Sequence, residues 1–184
     1  MKVILFDFFG VICSPTYFPI IQKYLPPAQQ QQWFDKIDLL DRGDLSEDDL
    51  LRQLSEHVHI PTQTLFGEAN AGSKLNQPLI AAATSLKPTY RIGLFTNIAR
   101  NMLERLLGAQ TSHFDIQIVS SDLGLIKPDP KIFEAAIARC NCPAADILFV
   151  DDSPNNIRVA KDLGMNGIVY KDMPALQKEI KKYL

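Results

Sequence analysis

Cysteine is scarce in this chain. Cys13, Cys140 and Cys142 are the only three, an odd number without metal-ligand spacing, which excludes a disulfide framework or a zinc cluster as the organising principle. Long hydrophobic runs are missing as well. The apolar stretch between Lys2 and Asp7 is too short for the core of a signal peptide, and no segment approaches the roughly 20 apolar residues that cross a bilayer. Neither sign of charge dominates: 19 Lys and Arg face 21 Asp and Glu, so there is no bulk electrostatic case for nucleic acid or an anionic membrane, while a local phosphate site stays open. The three histidines, His57, His59 and His113, read as surface or packing residues, and Cys13 as a buried, inert thiol. A cytoplasmic location is expected, and a monomer, with a dimer also compatible.

What is present is an alternating pattern. Residues Val3 to Phe6 form a short apolar run rich in β-branched and aromatic side chains, as in a strand buried on both faces. Asp7 breaks it, and Gly10 permits a sharp turn. From Pro78 onward, helices and strands alternate: strands are predicted at Tyr90–Phe95, Phe114–Val119, Ile147–Val150 and Gly167–Tyr170, with helices at Leu79–Leu86, Ile98–Leu107 and Lys131–Cys140. Asp129–Pro130 and Ser153–Pro154 are cap-then-proline helix starts. This order predicts an α/β fold, a Rossmann-like, doubly wound parallel sheet covered on both faces. Between Tyr17 and Gln77 the texture differs: short helices punctuated by Pro and Gly, with Ser46 and Asp49 as a capping pair and no strand-like run. Residues 1–14 and 78–184 are therefore expected to form the core and residues 15–77 an inserted helical cap, because crossovers in such sheets are usually short. Trp33, Phe34 and Ile37 are expected to hold the cap helices together.

Asp7, Thr96 with Asn97, Lys127, and Asp151 with Asp152 all fall at strand ends or in adjoining loops, which converge in one crevice of a doubly wound sheet. Each has an ordinary structural explanation alone, as helix cap, turn or solvated lysine. Together they suit phosphoryl chemistry with a hard cation. A phosphate dianion does not approach an anionic aspartate unless positive charge neutralises both, and oxygen-ligated Mg²⁺ with Lys127 does that. Thr96 and Asn97 offer hydrogen bonds to the phosphate oxygens.

The segments FDFFGV, LFTN, GLIKPDPKIF and FVDDSPNN resemble, in order, the four motifs of the haloacid dehalogenase (HAD) superfamily, class IA with a helical cap, in its glucose-1-phosphatase-like branch. The resemblance organises essentially the whole chain. It implies Asp7 as a nucleophile that becomes an aspartyl phosphate, Thr96 and Asn97 as phosphate donors and Lys127 as charge stabiliser. It implies a Mg²⁺ site of Asp7, the Phe9 carbonyl, Asp152 and Asp151, the last as a direct or water-mediated ligand. The cap would be a lid that excludes water and selects the leaving group, with Arg42 a candidate for touching substrate. The expected partner is a small phosphorylated metabolite.

One position departs from the pattern. Most phosphatases of the family carry an Asp two residues after the nucleophile; here it is Phe9. The backbone carbonyl survives the exchange, but the carboxyl that protonates the leaving alcohol and activates water does not, and a positioned general acid/base is typically worth roughly 10²- to 10⁴-fold. A weak or specialised phosphatase favouring acyl or aryl phosphates is expected, or one drawing an acid from Asp41 or Asp44 of the cap. The alternatives are a non-catalytic phosphate-binding protein and a haloacid dehalogenase, in which halide leaves without a proton and no metal is needed. A response-regulator receiver domain uses similar residues, but there the acidic pair precedes the phosphorylated Asp.

Overall fold

The computed structural model describes residues 1–184. Five strands, β1 (Val3–Phe6), β2 (Arg91–Thr96), β3 (Ile116–Val119), β4 (Ile147–Asp151) and β5 (Asn166–Val169), form one sheet in the order β3-β2-β1-β4-β5. All pairs are parallel. The period-two alternation of the strands divides the core: Val3 and Leu5 belong to one apolar cluster with Phe95, Phe133 and Phe149, Ile4 and Phe6 to another with Leu94 and Val150. Helices α8 (Pro130–Cys140) and α9 (Pro154–Asp162) close the first cluster; α5 (Gln77–Ser85), α6 (Arg100–Leu107) and α10 (Met173–Ile180) close the second.

After β1 the chain leaves the sheet for four helices, α1 (Phe18–Tyr24), α2 (Pro27–Arg42), α3 (Glu47–Val58) and α4 (Thr62–Gly72). In α2, Trp33, Ile37 and Leu40 recur at helical spacing and are buried, each contributing about 1.5–3 kcal/mol through removal from water. Gly43 ends that helix in the left-handed conformation, φ 89°, its N–H bonded to Leu39 and Leu40 carbonyls. Ser46 caps α3, accepting from Asp49 N–H at 3.1 Å while its hydroxyl donates to the Asp49 carboxylate at 2.7 Å. These helices share the apolar cluster of the Ile4 and Phe6 sheet face. A buried polar bond adds to that: Tyr17 donates to Glu47 at 2.5 Å, and the same Glu47 oxygen accepts from Arg105 of α6.

The elements match the expected ones with shifted edges. The strand expected from Phe114 starts at Ile116, because residues Gly108–His113 wind into a 3₁₀ segment. The helix expected from Ile98 starts at Arg100, since Ala99 is extended. A four-residue helix, α7 (Ser120–Leu123), was not expected; it packs against α2. No helix is long and apolar enough to cross a membrane.

Candidate active site

Because β1 is flanked by β2 on one side and β4 on the other, the residues leaving these three strands meet at one edge of the sheet. Asp7 follows β1, with its N–H bonded to the Val150 carbonyl at 2.8 Å, so the sheet ladder fixes its backbone. Its carboxylate accepts from Phe8 N–H at 2.7 Å and lies 2.9 Å from Lys127 Nζ. Lys127 Nζ also donates to Asp151 at 2.7 Å and to the Phe95 carbonyl at 2.9 Å. Lys127 is 4% exposed and Asp151 wholly buried. Burial works against the Lys127 charge, but Asp7 and Asp151 outweigh it and hold its pKa above the usual lysine range. Burial pushes the Asp7 carboxyl up to about 7, against the pull of Lys127 and helped by the negative charge of Asp151.

Asp7, Asp151 and Asp152 each place a carboxylate oxygen within 4.8 Å of the others. This all-oxygen donor set fits a hard divalent cation. The members differ in availability. Asp151 is saturated by Lys127, by Ser153 N–H at 2.8 Å and by the Asn156 amide at 3.1 and 3.0 Å. Asp152 is exposed and has no hydrogen-bond partner outside its own residue; burial of part of its surface, then Asp151, raise its pKa. Gly10, φ 80°, lets the chain run against it: a Cβ there would stand 2.0 Å from Asp152 Oδ2. The Phe9 carbonyl and the Phe9 and Asn97 N–H groups make no backbone hydrogen bond.

A cavity of about 500 Å³ opens over this cluster, bordered by Asp7, Phe9, Asn97, Lys127 and Asp152 from the sheet edge and by Tyr17, Asp38 and Asp41 from the helical region. Thr96 is not on its wall. It is wholly buried, and its hydroxyl has no partner, an unsatisfied group that costs about 1–3 kcal/mol.

Two expectations need correction, those for Arg42 and Asp44, and one, for Asn97, needs detail. The Asn97 side chain, expected to serve phosphate, is committed to the backbone of Lys127: its amide donates to the Lys127 carbonyl at 2.9 Å and its oxygen accepts from Lys127 N–H at 2.8 Å. The second N–H of that amide and the main-chain N–H have no protein partner. Arg42 does not reach this cavity; it borders a separate depression with Pro128 and Asp129 and lies 3.8 Å from Asp44. Asp44, one of the two cap acids considered, is exposed, whereas Asp41 is buried on the cavity wall. Burial, then Asp38 and Asp7, raise the Asp41 pKa well above the carboxylate range, with Lys127 opposing.

Asn156 and Ser120 escaped notice in the sequence. Asn156 sits in the first turn of α9, five residues after the Asp151 it clamps, a cap spacing that carries a signal. Ser120 carries none, since its partners are remote in sequence. Of the remaining candidates, His57 bonds Gln29 at the surface at 2.9 Å, and Cys13 is buried, its thiol pushed by burial up to about 11.

The fold recurs in known proteins. A HAD family enzyme of Bacteroides thetaiotaomicron, solved in complex with magnesium and inorganic phosphate, superposes with a TM-score of 0.77 at 18% identity over 93% of this chain and 94% of that one. A HAD-like family hydrolase from Porphyromonas gingivalis gives 0.78 at 25% identity, over 100% and 97%. In sequence, the chain is 29% identical over 125 residues to bifunctional epoxide hydrolase 2 of Rattus norvegicus, covering 64% of this chain but 23% of that protein. It is 24% identical to the sesquiterpene phosphatase astK of Aspergillus oryzae, over 98% of this chain and 95% of that one. Residues 1–164 match the haloacid dehalogenase-like hydrolases, and the chain belongs to that family.

Proposed function

We propose that this chain is a magnesium-dependent phosphatase of small phosphorylated metabolites that works through an aspartyl phosphate on Asp7. The observation that carries the reading is Lys127 held between Asp7 and Asp151, beside the freely available Asp152, at the floor of one cavity. Asp7, Asp152 and the Phe9 carbonyl would hold the ion, with Asp151 keeping Lys127 and the following helix in place. Magnesium, when bound, supplies the positive charge that lets a phosphate dianion approach a carboxylate. Asp7 attacks phosphorus, Lys127 offsets charge on the transferring group, and the Asn97 and Phe9 N–H groups receive its oxygens. Residues 15–77 act as the cap, covering the cavity against water. The structure solved with magnesium and phosphate and the phosphatase relative support the class of reaction.

Phe9 borders the cavity where a carboxyl would otherwise protonate the leaving group. Turnover is accordingly slow with alcohol leaving groups and better with acyl or aryl phosphates. The test is hydrolysis of acetyl phosphate beside a sugar phosphate, with Mg²⁺ and with EDTA. Acetyl phosphate should be favoured and both activities should vanish on chelation; equal or faster sugar-phosphate turnover contradicts the role given to Phe9, activity that survives EDTA contradicts the magnesium dependence, and halide release from a haloacid in EDTA is the mark of dehalogenase chemistry. Phe9 also favours a second reading, a non-catalytic phosphate-binding protein. Under that reading Phe9→Asp gains no turnover, whereas a pocket otherwise complete gains it strongly.

A further inference from the structure

The cavity wall carries four carboxyl groups: Asp7, Asp152, Asp38 and Asp41. Asp7 and Asp152 belong to the floor described above. Asp38 is exposed to bulk water. Asp41 is buried, borders the same cavity and has no hydrogen bond or ion pair on its carboxyl. A carboxyl with no protein partner at the edge of a cavity is placed to meet a ligand, and such groups concentrate where chemistry uses them.

Its position is also fixed from the core. Ser120, wholly buried, donates its hydroxyl to the Asp41 main-chain carbonyl and accepts from Ile98 N–H at 2.8 Å. One hydroxyl thus ties the last turn of α2 to the loop carrying Asn97. Gly43, two residues on, closes against Ser121, whose carbonyl would lie 3.2 Å from a Cβ there. The backbone of Asp41 is held at the cavity wall by hydrogen bonding and close packing, not by a flexible loop.

Resting on the phosphatase reading, we propose that Asp41 supplies, from the cap, the weaker general acid/base function behind the slow turnover of alcohol leaving groups that remains with Phe9 in place of an aspartate. As Asp7 bonds to phosphorus, the bond from phosphorus to the leaving oxygen breaks, that oxygen keeps the electron pair, and the Asp41 carboxyl gives it a proton. In the second half, the Asp41 carboxylate takes a proton from water as the water oxygen attacks phosphorus. The bond to Asp7 breaks, phosphate leaves, and Asp7 and Asp41 return to their starting forms. The elevated proton affinity of Asp41, caused first by burial and then by Asp38 and Asp7, suits a group that begins the cycle protonated.

The test compares kcat/KM for acetyl phosphate, which needs no proton on leaving, with that for glycerol phosphate, which does, in the presence of Mg²⁺. Asp41→Asn should lower the glycerol phosphate value by about 10²-fold or more and leave acetyl phosphate within about threefold. In a Phe9→Asp background, with its own acid, Asp41→Asn should have little effect on either. Ser120→Ala, a second variant with the carboxyl intact, should show a weaker form of the same selective loss. Equal losses on both substrates, or none on glycerol phosphate, overturn the role of Asp41 while leaving the phosphatase reading standing. Failure of the native chain to turn over either compound or to become labelled at Asp7 overturns that reading, and the role of Asp41 with it.

Discussion

Lys127 Nζ and Asp151 Oδ2 are 2.7 Å apart with both side chains sealed from solvent. Their pairing spans 24 residues and joins the loop before α8 to the end of β4. Asp7 lies on the same ammonium group at 2.9 Å, so the charge that would serve catalysis also keeps two buried carboxylates compatible with a folded core.

Lys127→Met should therefore unfold more easily by about 3–5 kcal/mol, the usual cost of stripping one partner from a buried ion pair. Urea denaturation at neutral pH measures it. Adding Asp151→Asn to Lys127→Met should recover part of the loss, since it removes one of the stranded charges.

A similar argument applies where the cap meets the core. Arg105→Met leaves Glu47 buried with Tyr17 as its remaining partner, and should cost about 2 kcal/mol. Glu47→Gln placed on that background should cost less than it does in the native chain. A double-mutant cycle in urea gives the coupling.

Gly10→Ala forces a Cβ to within 2.0 Å of Asp152 Oδ2 at a backbone φ of 80°. The carboxylate must move, and Mg²⁺ affinity should fall by about 10-fold or more, as read by calorimetric titration. Gly72→Ala is the control, because nothing lies within 4 Å of a Cβ at that helix end.

Thiol labelling offers a check on burial. At pH 8 a thiol pushed by burial up to about 11, as at Cys13, or to about 12, as at Cys140, is ionised to about one part in 10³ or less. In the folded chain that fraction rises only tenfold per pH unit below those values. Half-exposed Cys142 should react first with maleimide, with Cys13 and Cys140 following only on denaturation. Mass spectrometry of the labelled peptides assigns the order.

Much of this was legible in the sequence because it depends on local rules. Alternating apolar runs gave the strands and their buried faces, and Asp129 and Ser153 announced helix starts that the structure bears out, with Asp129 accepting from Lys131 N–H at 2.9 Å. The family resemblance brought together Asp7, Lys127, Asp151 and Asp152, which now meet in space. Arg42 and Asp41, adjacent in α2, were both candidates from the sequence, Arg42 for touching substrate and Asp41 for supplying an acid. The helix turns about 100° per residue, so its packing decides which of two neighbours faces inward.

The sequence by itself determined the order of elements, the α/β class and the placement of acidic and polar residues at strand ends, since these follow from periodicity, caps and turns within a few residues of one another. Only the tertiary structure decided that Asn97 holds the backbone of Lys127, that Asp151 is saturated while Asp152 is free, and that Asp41 borders the cavity. Each of those outcomes depends on a partner more than 20 residues away or on which helix face meets the sheet edge, and side-chain periodicity says nothing about what stands opposite.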